Sequence, residues 1–296
     1  MTATVNPNPS AALPARIAAA WMLGLVALGL ATWAGQSGMA TLGVGRLTRY
    51  GLQALIMSGI VVPGIWWLRT RVDRRPLAGL EVLGLARSLR GFLIGAGLIL
   101  FPLVVTLVLT DLAGWATVTV NTSTPALGAL AAGFLTVLFF EALPEELVFR
   151  GYIYRNLNTV QRRWVAGAVT VALFVLLPVV LVPIQRNLLG MEIQVGPSDR
   201  ITGGYVVMMA CFGAFVQYLR VLTGTVWTGI GFHLHFVFLN RIVSPRDGAL
   251  INLSDLTTEG PMQVTLIVTV LLVLAALALS PRFLKRSVGW NQVDPE

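Results

Sequence analysis

Residues 126–151 read ALGALAAGFLTVLFFEALPEELVFRG and join an apolar run to a dense group of charges. The run Ala126–Leu143 is long enough to cross most of a bilayer core as a helix. Glu145, Glu146 and Arg150 follow it directly. An ionisable residue costs about 2.5–3.5 kcal/mol at the centre of a membrane helix, so such residues usually mark a functional site. The stretch therefore predicts both a membrane helix and the place where the chain does its chemistry.

The composition of the whole chain is that of an integral membrane protein. Of its 296 residues, 56% are hydrophobic and only 11% are charged, whereas a soluble domain carries about 25% charged residues. The net charge of +8 is therefore assigned to arginines in loops at the membrane surface, and we expect no nucleic-acid partner. Cys211 is the only cysteine, so the chain forms no internal disulfide.

Eight apolar runs are long enough, or nearly so, to span a bilayer, and they predict an all-α, polytopic membrane protein of about eight transmembrane helices. The seventh run is the shortest and the most polar. The predicted spans are Ile17–Trp33, Leu52–Leu68, Phe92–Leu109, Ala126–Leu143, Trp164–Val182, Gly204–Leu222, Val226–Asn240 and Val264–Ser280.

The arginines predict the orientation of these spans. With the N-terminus in the cytoplasm, fifteen of the 21 basic residues fall on the cytoplasmic side, which is the distribution that membrane proteins favour. Lys285 is the only lysine, and this bias towards arginine favours a bacterial plasma membrane. We expect both termini to be cytoplasmic. The predicted divisions are a disordered tail at 1–14, a membrane domain at 15–288 and a disordered tail at 289–296, and residues 126–240 of the membrane domain carry the family resemblance described below.

The charged group has a predictable local geometry. Pro144 suits the first turn of a helix, so it predicts the end of the fourth span or the start of a new helix. Glu146 and Arg150 are four residues apart and face each other on a helix, whereas Glu145 points about 100° away. One carboxylate can therefore pair with the arginine while the other stays available. The alternative is a cluster of interfacial charges that only ends a helix.

The residues around the glutamate pair resemble a known motif. The pattern Glu145-Glu146-x-x-x-Arg150-Gly151-Tyr152 resembles the first motif of the CAAX prenyl protease and bacteriocin-processing family, also called the Abi family. Its members are intramembrane peptidases with several spans. The family's second motif is a phenylalanine and a histidine four residues apart. Phe174 holds the first of these positions, but Pro178 stands in place of the histidine.

The third motif of the family is a histidine that follows a tryptophan and a glycine. Trp227 and Gly231 place this histidine at His233. The family has Asn or Asp four residues later, where this chain has Val237, and Asn240 lies one turn further along. His235, the only other histidine, points to the opposite side of the helix, so we do not expect it to share a site with His233.

The resemblance implies an endopeptidase in which a glutamate activates a water molecule that attacks a peptide bond. The implied substrate is a membrane-anchored or hydrophobic peptide. The implied catalytic residues are Glu145, Glu146, Arg150 and His233, and the implied substrate-binding residues are Phe174 and Asn240. The second and third motifs are degenerate, so the alternative is a relative that binds membrane partners as a scaffold or immunity-type protein without cleaving them.

The resemblance leaves the cofactor open. Family members are often described as metalloproteases, and a protein zinc site normally has three or four ligands. One histidine and two glutamates remain of the family's set here, so we expect no metal and a glutamate-only mechanism. A divalent metal such as zinc stays an open alternative.

Overall fold

A computed structural model of the chain describes residues 12–38, 43–82, 84–193, 200–244, 251–254, 259–285 and 287–294. Six helices in this part are long and apolar enough to cross a membrane. Two further apolar helices, Val226–Leu239 and Leu272–Leu284, are shorter and fall where the seventh and eighth spans were predicted. The prediction of an all-α, polytopic membrane protein is confirmed. The predicted tail at 1–14 lies almost entirely outside the described residues.

Ten α-helical segments lie in the described part of the chain. They are α1 (Leu13–Trp33), α2 (Arg46–Trp67), α3 (Leu85–Leu112), α4 (Thr124–Val137), α5 (Leu143–Glu146), α6 (Tyr154–Asn158), α7 (Arg163–Asn187), α8 (Gly203–Thr223), α9 (Val226–Ile242) and α10 (Glu259–Leu284).

A small sheet lies where α3 and α9 end. Its strands are β1 (Thr117–Val120), β2 (Val243–Ser244) and β3 (Ile251–Ser254). The central strand β3 pairs antiparallel with β1 and parallel with β2.

The segments α4, α5 and α6 are joined by two π-helical stretches, Leu138–Ala142 and Leu147–Ile153, into one continuous helix. We call it the motif helix. Because this helix continues through Pro144, the prediction that a helix ends or begins there was wrong. The N–H of Leu143 bonds to the carbonyl of Leu138, five residues back, so a wider turn directly precedes the proline. Single π turns are rare and often occur at functional sites.

The motif helix also places the glutamate pair well before the end of the helix. Asn158, at the end of α6, follows Glu146 by twelve residues, which is about 18 Å of helix. Glu145 and Glu146 were expected in the first turn of a helix, near its positive dipole end. They instead lie well inside a long helix, between two π turns.

The helices α3 and α9 pack backbone against backbone. A Cβ atom added at Gly95 would lie 2.1 Å from the carbonyl oxygen of Thr228, and one added at Gly231 would lie 2.2 Å from that of Phe92. Gly91 precedes Gly95 by four residues and lies on the same helix face. Small residues with this spacing allow membrane helices to approach closely. This contact fixes the helix that carries His233.

Polar contacts around the buried Asp73 hold one end of the bundle together. We call it the arginine-rich end, because Arg16 and Arg69 also lie beside this carboxylate. Tyr152 donates its hydroxyl hydrogen to Asp73 at 3.0 Å, and Asn156 donates to the other oxygen of the same carboxylate at 3.3 Å. The Asp73 side chain is fully buried and also lies 3.6 Å from Arg16. These contacts connect the motif helix to α1 and to the residues that follow α2.

The C-terminal residues pack against the same end. Arg163 forms a 2.9 Å ion pair with Asp294, and the backbone N–H of Trp164 donates to the carbonyl of Trp290 at 3.2 Å. The described residues of the segment 289–296 therefore differ from the disordered tail that we expected.

Candidate active site

Glu146 and Arg150 form an ion pair that is buried in the centre of the bundle. Nη1 of Arg150 donates to Oε1 of Glu146 at 3.0 Å, and neither side chain is exposed. Nη2 of Arg150 donates to the backbone carbonyl of Gly213 in α8 at 2.9 Å. The guanidinium lies 4.6 Å from the ring centroid of Phe174. This confirms the pairing predicted from the four-residue spacing, and it shows that α7 and α8 hold the arginine in place.

His233 lies between the two glutamates. Its Nδ1 is 3.1 Å from Oε1 of Glu146, a hydrogen bond in which the ring N–H donates to the carboxylate. Its Nε2 is 4.0 Å from Oε2 of Glu145. The Phe212 ring packs edge-on against the imidazole with centroids 4.8 Å apart. The four residues predicted to be catalytic therefore lie together, with the imidazole oriented by Glu146.

The two glutamates differ in their surroundings. The Glu145 side chain is 15% exposed, whereas that of Glu146 is fully buried. The second oxygen of Glu146, Oε2, has no hydrogen-bond partner among the described residues. A Cβ atom added at Gly229 would lie 2.8 Å from that oxygen. The glycine therefore gives Glu146 the room to lie against α9, and Glu145 is the carboxylate that a substrate or a water molecule can reach.

The two residues predicted to bind substrate have different outcomes. Phe174 is 2% exposed, and its ring packs against Phe149 and Phe212 as well as beneath Arg150. In that position it supports the arginine, and its contact with substrate stays a prediction. Asn240 belongs to α9, but its side chain lies outside the described residues.

The degenerate motif positions lie on the expected helices. Pro178 lies inside α7 and is half-buried. Val237 packs in an apolar cluster with Val137 and Ile230. Neither side chain can supply the polar hydrogen of a histidine or an asparagine.

His235 is separate from the site, as the spacing predicted. Its Nδ1 donates to the carbonyl of Gly231 at 2.7 Å. Its ring packs edge-on against Phe92 and Phe134, with centroid distances of 5.7 and 5.8 Å. These contacts place His235 in the packing between α3, α4 and α9.

Sequence reasoning missed three residues that shape the site. Phe212 positions the imidazole, Gly213 accepts the hydrogen bond from Arg150, and Gly229 makes room for Glu146. Phe212 and Gly213 lie in α8, which carries no family motif. Gly229 lies two residues before the motif glycine Gly231. This pair of small residues was the one feature of the sequence that could have indicated room for another side chain against this helix.

The sequence left a divalent metal open as an alternative to the glutamate-only mechanism. No group of three or more histidine, cysteine, aspartate or glutamate side chains in the described part of the chain is arranged to hold a metal. The Glu146 oxygen nearest the imidazole already accepts from Arg150, and this fixed positive charge 3.0 Å away would repel a cation at that oxygen.

Comparison with known families confirms the resemblance. The family model described as type II CAAX prenyl endopeptidase Rce1-like matches residues 127–239. This segment begins in α4 and ends in α9, so it includes the glutamate pair, Arg150 and His233. No curated protein matches the chain. The resemblance expected from the sequence is thus confirmed for residues 127–239, which are similar to the Rce1-like family of type II CAAX prenyl endopeptidases.

Proposed function

We propose that this protein is an intramembrane endopeptidase of the CAAX protease type, in which Glu145 activates a water molecule. The observation that carries the proposal is the 4.0 Å separation between Oε2 of Glu145 and Nε2 of His233. This distance is too long for a direct hydrogen bond, but a water between the two atoms can bond to both at about 2.8 Å. The partial exposure of Glu145 supports access of water to this position.

Glu146 and Arg150 prepare the imidazole for this role. Because Nδ1 of His233 donates to Glu146, Nε2 of the neutral ring is free of hydrogen and accepts one from the water. Arg150 holds Glu146 from the other side and is itself fixed by the Gly213 carbonyl. A base oriented by a third group is the arrangement that activates nucleophiles in many hydrolases.

The proposed reaction uses these groups in one cycle. Glu145 takes a proton from the water as the water oxygen bonds to the carbonyl carbon of the peptide. When the C–N bond breaks, Glu145 returns the proton to the leaving nitrogen, and the products are a carboxylic acid and an amine. Pro178 offers no donor to the developing oxyanion, and one such donor is worth about 2.7–4 kcal/mol. We therefore expect slow turnover.

The proposed substrate is a membrane-anchored or hydrophobic peptide, because the glutamates lie inside a helix that is long and apolar enough to cross a bilayer. The proposed location is a bacterial plasma membrane, with both termini in the cytoplasm. We propose a mechanism without a metal, supported by the arginine that already occupies Glu146.

The test is cleavage of a panel of tagged, membrane-anchored peptides by the purified full-length protein in lipid nanodiscs. We expect Glu145→Gln to slow cleavage at least about 100-fold, the usual range for loss of a general base. Glu192→Gln is the matched control, because Glu192 is an exposed carboxylate outside the spans, and it should leave the rate unchanged. Unchanged cleavage by Glu145→Gln would contradict the mechanism. Binding of peptides without cleavage by the unaltered protein would favour the non-catalytic alternative.

A further inference from the structure

A small polar cavity of about 280 Å³ lies where α1, α2 and the motif helix meet. One wall is formed by the end of α1 and by the π-helical stretch Ala34–Gly38 that continues it. The opposite wall is formed by the first turns of α2, which contribute Arg49, Tyr50 and Gln53. The volume is near the lower limit of ligand pockets, so the cavity suits a small chemical group rather than a whole peptide or acyl chain.

Gln53 lines this cavity with an amide that the described protein does not use. The residue is 5% exposed, and no hydrogen bond joins its side chain to another described residue. Both polar atoms of the amide keep some accessible surface, so a ligand in the cavity can reach them. A Cβ atom added at Gly35 would lie 2.5 Å from Nε2 of Gln53. The glycine therefore gives the amide room to lie against the end of α1, at the wall of the cavity.

Arg49 gives the cavity a positive charge that no described residue neutralises. Its guanidinium forms no hydrogen bond or ion pair with another described residue. Nε is buried, whereas the two Nη atoms keep accessible surface. None of the described lining residues is acidic, and the first turn of α2 carries no acidic residue to offset the positive end of the helix dipole. A cation in a polar cavity without a counter-charge points to an anionic ligand.

The arrangement of the donors indicates which anion fits. Thr32 and Thr136 also line the cavity, but their hydroxyl hydrogens already bond to carbonyls four residues back, at 2.7 and 2.8 Å. The donors left for a ligand include the guanidinium of Arg49 and the amides of Gln36 and Gln53. Because Gln36 follows α1 and the other two belong to α2, these donors approach from two sides. The tetrahedral oxygens of a phosphate can accept from both sides, whereas the two oxygens of a carboxylate lie in one plane, and arginine binds phosphate through paired hydrogen bonds.

The cavity lies at the end of the bundle opposite the arginine-rich end. Thr32 follows Arg16 in α1 by sixteen residues, which is about 24 Å of helix. Trp33 and Tyr50, at the ends of α1 and α2 that form the cavity, are 47% and 40% exposed. Exposed tryptophan and tyrosine side chains are favoured where a membrane meets water. These positions place the cavity at the level of lipid headgroups.

We propose that this cavity binds a phosphate group, which is either the headgroup phosphate of a membrane lipid or free phosphate. The Nη atoms of Arg49 donate to two of its oxygens, and the amides of Gln36 and Gln53 donate to the others. The proposal does not depend on the proposed peptidase activity, since no residue of the glutamate site lines the cavity.

The first test compares phosphatidylglycerol with diacylglycerol of the same acyl chains. The purified full-length protein is titrated with each lipid in a neutral detergent, and bound lipid is counted by native mass spectrometry. We expect phosphatidylglycerol to bind at least about tenfold more tightly, because hydrogen bonds to a charged group are the strong ones. Arg49→Gln should remove this preference and leave the affinity for diacylglycerol unchanged. Arg71→Gln is the matched control, since it removes the same charge from an exposed side chain at the arginine-rich end, and it should keep the preference.

A second variant tests the cavity without changing its charge. Gln53→Leu should weaken the binding of phosphatidylglycerol about threefold, the effect of losing one hydrogen bond. If Arg49→Gln fails to fold, this variant decides, and an unchanged affinity in Gln53→Leu would then contradict the proposal.

Inorganic phosphate alone distinguishes the two sources of the phosphate group. If it raises the thermal unfolding midpoint of the unaltered protein but not that of Arg49→Gln, the cavity takes free phosphate. A preference for phosphatidylglycerol without this effect assigns the cavity to a lipid headgroup. Equal affinities for the two lipids together with no effect of inorganic phosphate would overturn the proposal. So would a preference for phosphatidylglycerol that survives Arg49→Gln, or an equal loss of that preference in Arg71→Gln.

Discussion

The α3–α9 pair packs backbone against backbone, whereas the α7–α8 pair leaves a groove between its helices. Glycines of α3 and α9 meet backbone oxygens of the facing helix, so that no side chain could be added there. Small residues also line α7 and α8, yet an open groove of about 820 Å³ lies between these helices, beside a buried glutamine whose amide has no hydrogen-bond partner among the described residues. Small residues on facing helices can thus either close a contact or leave a slot.

The two pairs of helices contribute differently to the proposed enzyme. The tight pair, α3 and α9, fixes the position of His233, and the proposed mechanism requires its distances to both glutamates to stay constant. The open pair, α7 and α8, leaves an apolar groove on the surface of the bundle. Arg150 connects the two halves, because it bonds Glu146 beside α9 and the Gly213 carbonyl of α8.

The largest expected effect on stability comes from breaking this connection. Arg150→Met leaves the fully buried carboxylate of Glu146 without its cation, and such a change costs about 3–5 kcal/mol. The double variant Glu146→Leu with Arg150→Met removes both charges and should be more stable than Arg150→Met alone. Unfolding in detergent, followed by circular dichroism, measures both. If the double variant is no more stable than the single one, the buried pair is not the cause.

A smaller loss of stability is expected when α3 and α9 are forced apart. Gly95→Ala places a methyl group against the backbone of Thr228, which cannot move aside as a side chain could, so we expect a loss of about 1–3 kcal/mol. Gly97→Ala is the control in the same helix, because an added Cβ there meets nothing within 4 Å. The thermal unfolding midpoints of the two variants should move in opposite directions, since alanine favours a helix over glycine. Equal shifts would show that α3 and α9 are not in close contact.

The smallest effect on stability is expected for a change in α8, and this change should stabilise the protein. In detergent without added lipid, Gln217→Leu removes two unpartnered polar atoms from a buried position and should stabilise the fold by about 1 kcal/mol. Gln185→Leu is the matched control, because Gln185 is equally buried but donates to Thr32. The control should be destabilised. A loss of stability in Gln217→Leu would mean that its amide has partners within the protein.

Much of the site could be predicted from spacing within one helix. The pairing of Glu146 with Arg150 and the opposite directions of His233 and His235 follow from the helical repeat, and the structure confirms them. The break expected at Pro144 was wrong, because a π turn before the proline lets the helix continue. A local rule for proline does not include such a turn.

Contacts between distant parts of the chain could not be predicted in this way. Gly213 acts through its backbone carbonyl, which any residue carries, so its identity gives no signal. The ion pair between Arg163 and Asp294 depends on the route of the chain through α8, α9 and α10, and the C-terminal segment was expected to be disordered. The groove at Gln217 likewise depends on how α7 and α8 meet.

The most direct test of the central claim is a double-mutant cycle on the peptide-cleavage rate. The values of kcat/KM are compared for the unaltered protein, Glu145→Gln, His233→Ala and the double variant. If Glu145 and His233 hold the same water, each single change abolishes most of the activity, and the double variant is no slower than the slower single variant. Losses that multiply in the double variant, or a single variant that keeps full activity, would contradict the account.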